Sequence, residues 1–239
     1  MTKPNHLLNS SKKVQIEKMF DSISFEYDFI NRLITFGRDV RWRRLIVSIA
    51  KKNNPKKILD IATGTADIAI ELTKIIDSEI IGVDLSQKML NVGREKIKSN
   101  NLSKQIILES GDAEKLIYDN EFFDLITIGF GVRNFENLEK GLLESNRVLK
   151  KNGELIILET SVPENPVIKY FYFLFSRKFI PLLGSIFSKD KLAYKYLQKS
   201  AENFPYGKEF ISILKKCGYK SIRVKKLMLG ATSIYIAKK

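Results

Sequence analysis

The chain has 239 residues, is 44% hydrophobic and carries a net charge of +14, which is enough length and apolar content for one full core. Its single cysteine, Cys217, excludes a disulfide framework, and no Cys/His cluster suggests a metal site. No apolar run approaches the ~18 residues of a membrane span, and the segment MTKPNHLLNSSKKVQIEKMF lacks the apolar centre of a signal peptide, so a cytoplasmic protein of a reducing compartment is expected.

Residues 1–13 read as frayed, and the chain's one histidine, His6, falls among them. Residues 14–52 read as helical and end in the basic cluster Arg41-Trp42-Arg43-Arg44. From 56 to 160, runs rich in Ile, Leu and Val alternate with helical patterns. KKILDIA precedes ADIAIELTKII, EIIGVD precedes SQKMLNVGREKIKS, and QIILES leads into GDAEKL; FDLITIGF then precedes NLEKGLLESNRVLK, and GELIILET closes the series. Near-continuous apolar strands belong to a parallel sheet covered on both faces, so the alternation predicts a doubly wound α/β sheet. Residues 163–205 break the pattern with VIKYFYFLFSRKFIPLLGSIFSKDKLAYKYL, and residues 208–239 resume it with one helix and two strands. Cys217 closes that helix beside Gly218 and reads as a small buried filler. The whole is expected to form one domain over 1–239: a helical cap (14–52), a core (56–160), an aromatic insertion (163–205) and closing elements (208–239).

Charge divides along the same lines. Residues 1–55 hold 11 Lys+Arg against 5 acids, residues 56–162 hold 14 against 18, and residues 163–239 hold 16 against 4. Basic flanks around an acidic centre favour an anionic partner, nucleic acid or a membrane surface, unless they are only a solvated face.

In an open α/β sheet, ligands sit beyond the C-terminal strand ends, where strand order reverses. The first strand ends at Thr63-Gly64. A dinucleotide fingerprint would place three glycines here, but Gly64 stands alone, flanked by Ala62 and Ala66. A pyrophosphate guest is therefore disfavoured, while a smaller adenosine-bearing ligand is not. Twenty residues on, Asp84 ends the second strand, where a carboxylate can accept both ribose hydroxyls. Asp112-Ala113 follows the third strand and suits a purine amino group and ring face. Asp60, inside the first strand, can meet an ammonium or orient the turn. Each acid also has an ordinary reading: helix N-caps for Asp84 and Asp112, a satisfied core carboxylate for Asp60. Taken in register after three successive strands, they resemble the class I S-adenosylmethionine-dependent methyltransferases, a class that implies Thr63, Gly64 and Gly129 as further cofactor contacts. Ala62 and Ala66 depart from its usual glycines.

Two longer blocks narrow the resemblance. YDFINRLITFGRDVRW (27–42) and RVLKKNGELIILETS (147–161), with FGVRN (130–134) between them and YKYLQKSAENFP (194–205) after them, resemble the menaquinone/ubiquinone biosynthesis C-methyltransferase family. Asp39 stands where that family usually has histidine, and Lys151-Asn152 where it has proline-glycine. The resemblance implies a Rossmann-like, mostly parallel seven-stranded sheet with an antiparallel last strand, N-terminal helices and a helical lid insertion. It implies S-adenosyl-L-methionine as cofactor and a polyprenyl hydroquinone as substrate, most simply demethylmenaquinol, with a ubiquinol precursor as the alternative. Ala62 and Gly129, on the pocket side, lean toward menaquinone.

C-methylation requires a ring carbon made nucleophilic by deprotonation of its neighbouring hydroxyl, so the enzyme must position two substrates and stabilise a phenolate. With His6 in the tail, an imidazole base is not expected. Arg133, after the fourth strand, is the candidate for the oxyanion and Asn134 for a hydroxyl or water, unless Asn134 caps the next helix. Tyr27, Asp39 and Tyr206 are candidates for the rim or proton relay. The aromatic insertion suits a lid lying in a bilayer interface, drawn to anionic lipid by its basic surroundings; packing over the sheet is the plainer reading. The rivals are an RNA methyltransferase and a non-catalytic adenosine-ligand binder. Nucleic acid is not the expected partner, and a homo-oligomer is left open.

Overall fold

Strand polarity organises the molecule. The computed structural model describes residues 2–4, 9–188 and 190–239; His6 lies outside them. The strands are β1 (Lys57–Ile61), β2 (Glu79–Asp84), β3 (Ile106–Ser110), β4 (Phe123–Gly129), β5 (Leu149–Thr160), β6 (Lys220–Leu227) and β7 (Thr232–Lys238). They form one seven-stranded sheet in the order β3-β2-β1-β4-β5-β7-β6. Pairs from β3 to β5 are parallel, and β7 runs antiparallel to both β5 and β6. The architecture is therefore the Rossmann-like doubly wound sheet expected, with the single reversal at the last strand. Chain order reverses between β1 and β4, which opens the crevice at their C-terminal ends.

Alternation along β1 sends Ile58 to one core and Leu59 and Ile61 to the other. The Ile58 face packs under α3 (Arg38–Ala50), α4 (Asp67–Leu72) and α5 (Gln87–Ser99), through Trp42, Ala69 and Leu90. The opposite face packs under α6 (Leu138–Val148) and α10 (Lys208–Lys216), through Leu142, Phe210 and Leu214. Cys217 belongs to this second core, where burial pushes its thiol up to about 11. That agrees with a filler rather than a nucleophile.

A third cluster joins α1 (Lys12–Ile23), α2 (Tyr27–Ile34), α8 (Ile180–Phe187) and α9 (Lys191–Glu202) through Ile16, Ile30, Leu183 and Tyr194. At residues 11–13 it corrects the reading as frayed. Ser11 caps α1, and Lys12, 3% exposed, sends its ammonium to the carbonyls of Arg133 (3.1 Å) and Phe135 (2.5 Å).

Two helical expectations come out shorter. ADIAIELTKII holds a helix of only six residues, α4, and the connection from β3 to β4 is made of turns with one bridge, Asp112 to Lys115. The insertion folds as α7 (Pro166–Leu174), a π turn (Phe175–Phe179), α8 and α9. Asn165 caps α7 with Pro166 as its first residue, while Pro181 denies α8 one backbone donor near the π turn. No described helix is long and apolar enough to cross a membrane.

Candidate active site

Beyond the strand ends lies an open cleft. Gly64, Asp84, Asp112, Ala113, Gly129 and Asn134 line it from the sheet, and Ile16 and Phe20 of α1 roof it. A second hollow shares Tyr27, Ala62, Gly64 and Gly129 with the first and adds Asp39, Asp60 and Thr63. Of the sequence candidates, only Arg133 and Tyr206 line neither space. Tyr206 lies in a separate hollow with Asn165, Lys226 and Leu229.

The turn after β1 is built from three left-handed residues, Ala62 (φ 54°), Gly64 (φ 56°) and Ala66 (φ 66°). Gly64 takes this conformation freely, and a side chain there would enter open space in the cleft. The two alanines hold it under strain, each by roughly 1 kcal/mol. Gly131 accommodates Ala62, since a Cβ on Gly131 would come within 2.5 Å of the alanine methyl.

Beneath the turn, Asp60 is 1% exposed and accepts from Thr63 Oγ1 (2.7 Å) and Thr127 Oγ1 (2.6 Å). Burial pushes its carboxyl up to about 6, against the pull of those two hydroxyls. It is thus an orienter of the turn, and Thr63, predicted as a cofactor contact, spends its hydroxyl on it. Asp84 accepts from the Gly64 N–H (2.8 Å) on one oxygen and the Ser86 N–H (2.9 Å) on the other. Burial raises its carboxyl as well, and the N–H groups of Ser86, Gly64 and Leu85 offset part of the rise. Each carboxylate oxygen keeps a lone pair for the cleft, a pattern that matches a vicinal diol. The N-cap alternative for Asp84 fails, because Ser86 caps α5 by accepting from Met89 N at 3.1 Å. Asp112 accepts from Glu114 N (2.9 Å) and pairs with Lys13 (2.6 Å), a half-exposed partner that an incoming amino group can replace.

After β4, Val132–Asn134 form a 3₁₀ turn. Asn134 does not cap α6; Asn137 does, accepting from Lys140 N at 3.0 Å. Asn134 accepts instead from the Tyr196 hydroxyl at 3.2 Å. The Arg133 guanidinium pairs with the fully buried Glu159 at 2.5 Å and lies 5.6 Å from the Phe130 ring centre. Burial works against its charge, but Glu159, then Tyr27, outweigh that and raise its pKa. Tyr27, Tyr172 and Tyr196 all feel this guanidinium, and its Nε is buried with no partner among the described residues.

Asp39 is less available than its position suggested. It is buried and held by Arg43 (2.7 Å), Arg32 (3.2 Å) and the Thr35 hydroxyl (3.0 Å). Arg43 continues to Asp67 (2.8 Å), Asp67 to Lys96 (2.6 Å), and Lys96 to Asp28 (2.5 Å). The chain of charges fastens α2 and α3 over the β1 turn. Spacing shows only its Asp39–Arg43 step, an i,i+4 pair on α3; the links to Asp67, Lys96 and Asp28 join elements far apart in sequence. Lys12, Lys13 and Tyr172 likewise gave no sign in sequence, whereas Glu159 and Tyr196 stand in quoted family blocks without an assigned role.

The sequence model of the ubiE/COQ5 methyltransferase family matches residues 8–239. The chain belongs to that family. Similar proteins include a demethylmenaquinone methyltransferase of Bacteroides fragilis, 39% identical over 97% of this chain and 95% of the relative. Another, of Chlorobaculum parvum with the same name, is 37% identical over 98% and 96%. A ubiquinone/menaquinone biosynthesis C-methyltransferase of Geotalea uraniireducens is 36% identical over 96% and 98%. Among solved structures, a SAM-dependent methyltransferase of Thermotoga maritima superposes with a TM-score of 0.64 at 20% identity, covering 93% of this chain and 99% of that one. A methyltransferase of Methanococcus maripaludis gives 0.59 at 20%, covering 98% and 97%. The chain is thus an S-adenosylmethionine-dependent methyltransferase. The donor set fits that ligand: a diol acceptor at Asp84, an open backbone at Gly64, a purine edge at Asp112-Ala113 and no pyrophosphate cradle.

Proposed function

We propose that this methyltransferase C-methylates a polyprenyl hydroquinone, with demethylmenaquinol as its principal acceptor. The observation that carries the reading is the Val132–Asn134 turn: Asn134 lines the cofactor cleft, and the buried Arg133, outside it, is near enough for Tyr27 of the cleft to feel its charge. The names of the relatives in Bacteroides fragilis and Chlorobaculum parvum support demethylmenaquinol, and that of the relative in Geotalea uraniireducens supports a ubiquinol precursor as a second acceptor.

Bound S-adenosylmethionine supplies the methyl group as an electrophile. Asp84, Gly64, Asp112 and Ala113 hold it, with Gly129 at the shared wall and Asp60 and Thr63 bracing the turn. Arg133 stabilises, through the charge of its guanidinium, the negative charge that develops on the acceptor's hydroxyl oxygen. Asn134 holds that oxygen or the water that takes the proton. Tyr27 lines both hollows and meets the acceptor ring at its rim. Asp39 keeps Arg43 in place and acts on substrate only through it. Tyr206, the other candidate for the rim or relay, lies outside both hollows and is given no role in the reaction.

We further propose peripheral attachment to the inner face of an anionic membrane. α7 buries none of its residues, and Val167, Tyr170 and Phe171 are 65%, 67% and 61% exposed. The apolar face continues through Phe175, Phe179 and Phe187 onto Phe36 and Phe29 of the α2 region, with Lys169 and Lys178 at hand for lipid phosphates.

A labelled-methyl transfer assay tests the reaction, with chemically reduced demethylmenaquinone, the oxidised quinone and bulk RNA as parallel acceptors. Label in the reduced quinone alone is expected. Label in RNA, or in no acceptor despite cofactor binding, would overturn the acceptor assignment.

A further inference from the structure

The side-chain amide of Asn134 is committed to one orientation. Its Oδ1 accepts from the Tyr196 hydroxyl at 3.2 Å, and its Nδ2 lies 3.4 Å from the Phe130 carbonyl oxygen. Turning the amide over would set Oδ1 against that carbonyl, acceptor facing acceptor. The partners themselves are fixed. Tyr196 is 3% exposed in the cluster that joins α1, α2, α8 and α9. Burial pushes its phenol well up, the nearby Arg133 opposing only in part, so the hydroxyl keeps its proton through the neutral range. Phe130 holds its left-handed conformation (φ 54°) with its N–H on the Leu158 carbonyl at 2.7 Å. From the other side, Lys12 bonds the carbonyls of Arg133 and Phe135, one on each side of Asn134, and its own N–H reaches Glu136 at 2.8 Å.

With Oδ1 occupied and one N–H directed to Phe130, the second N–H is what the amide offers the cleft it lines. We propose that Tyr196 is a positioning residue that makes Asn134 a hydrogen-bond donor, and not an acceptor, toward the reacting oxygen of the acceptor ring. The proposal rests on the methyl-transfer reading above. A donor stabilises an oxyanion and cannot receive the proton, so Asn134 works on the same side of the charge balance as Arg133 and the proton leaves to water. Tyr196 then matters to turnover without touching either substrate.

Tyr196→Phe keeps the buried ring and removes only the hydroxyl. Its kcat is expected to fall about tenfold with KM for S-adenosylmethionine unchanged. A misdirected amide stabilises the bound phenolate less, so the acidic limb of the kcat profile should move to higher pH. A second readout needs no turnover: the ¹⁵N side-chain amide signal of Asn134, identified by its loss in Asn134→Asp, should shift in Tyr196→Phe. An unmoved amide signal, or a kcat loss equal at every pH, would overturn the positioning role. If wild-type protein methylates no quinol, the functional reading fails while the amide signal still decides this one.

Discussion

The cofactor cleft and the α7–α8 insertion differ in what their residues are used for. In and beside the cleft, the polar side chains are held by fixed partners: Asp60 has two threonine hydroxyls, Asp84 two backbone N–H groups, and Arg133, behind Asn134, the buried Glu159. In the insertion, α7 buries nothing and carries a row of half to two-thirds exposed aromatic and aliphatic side chains. A small rigid ligand with many polar groups rewards fixed partners, because each misplaced donor leaves a buried acceptor unsatisfied. An apolar tail or bilayer rewards area, which many arrangements supply equally. The cleft should therefore be intolerant of single atoms, and the insertion should respond only to summed apolar surface.

The contrast can be broken most sharply at Arg133. Arg133→Ala is expected to cut turnover by about 100-fold or more while cofactor affinity stays near wild type. It also leaves Glu159 buried without its cation, so a loss of roughly 3 kcal/mol in stability is expected alongside. Thermal unfolding and single-turnover assays separate the two; retained turnover would remove Arg133 from the chemistry. Next in size, Asp84→Ala should weaken S-adenosylmethionine binding by about 2 kcal/mol, roughly 30-fold, by titration calorimetry. Unchanged affinity there would move the diol site elsewhere.

On the insertion, Phe171→Ser with Tyr170→Ser should lower activity on long-tailed quinols in anionic vesicles about tenfold and leave short-tailed, detergent-dispersed quinols nearly untouched. Equal losses on both would turn the exposed face into a folding element rather than a docking one.

The smallest effect tests how tightly the cleft is tuned. Asp60 titrates higher folded than unfolded, so its ionised form costs stability at neutral pH. That cost shrinks as pH falls through about 6 and is gone below the unfolded value near 3.8. Between pH 7 and 5 the wild type should gain about 1 kcal/mol from this group, and Asp60→Asn should lack the gain. Denaturant titrations at the two pH values compare them, and parallel behaviour would remove Asp60 as the source.

Much of the core was legible before any coordinates. Apolar runs of five to eight residues separated by helical patterns admit one sheet class, and the reversal of strand order then fixes which ends carry ligand. Asp84, Gly64, Asp112 and Asn134 were found this way and all line the main cavity. Their competing roles as helix caps could not be excluded from spacing, since Ser86 and Asn137 stand only two and three residues away from Asp84 and Asn134. Which residue caps is settled by where the backbone turns. The frayed reading failed at residues 11–13 for a related reason: a lysine beside a lysine signals solvent in sequence, yet Lys12 is buried because two carbonyls of a distant turn receive its ammonium.

What the sequence determined on its own is therefore the local and periodic part, the strand polarity, the acids in register after each strand and the apolar character of the insertion. These follow from repeats of two and 3.6 residues that any contiguous stretch displays. Only the tertiary structure decided which of those residues are partnered. Lys12, Tyr196, Glu159 and the charge chain from Asp39 to Asp28 come from elements far apart along the chain. Pairing at such range leaves no period to read, because hydrogen bonds and ion pairs are set by distance in space and not by separation in sequence.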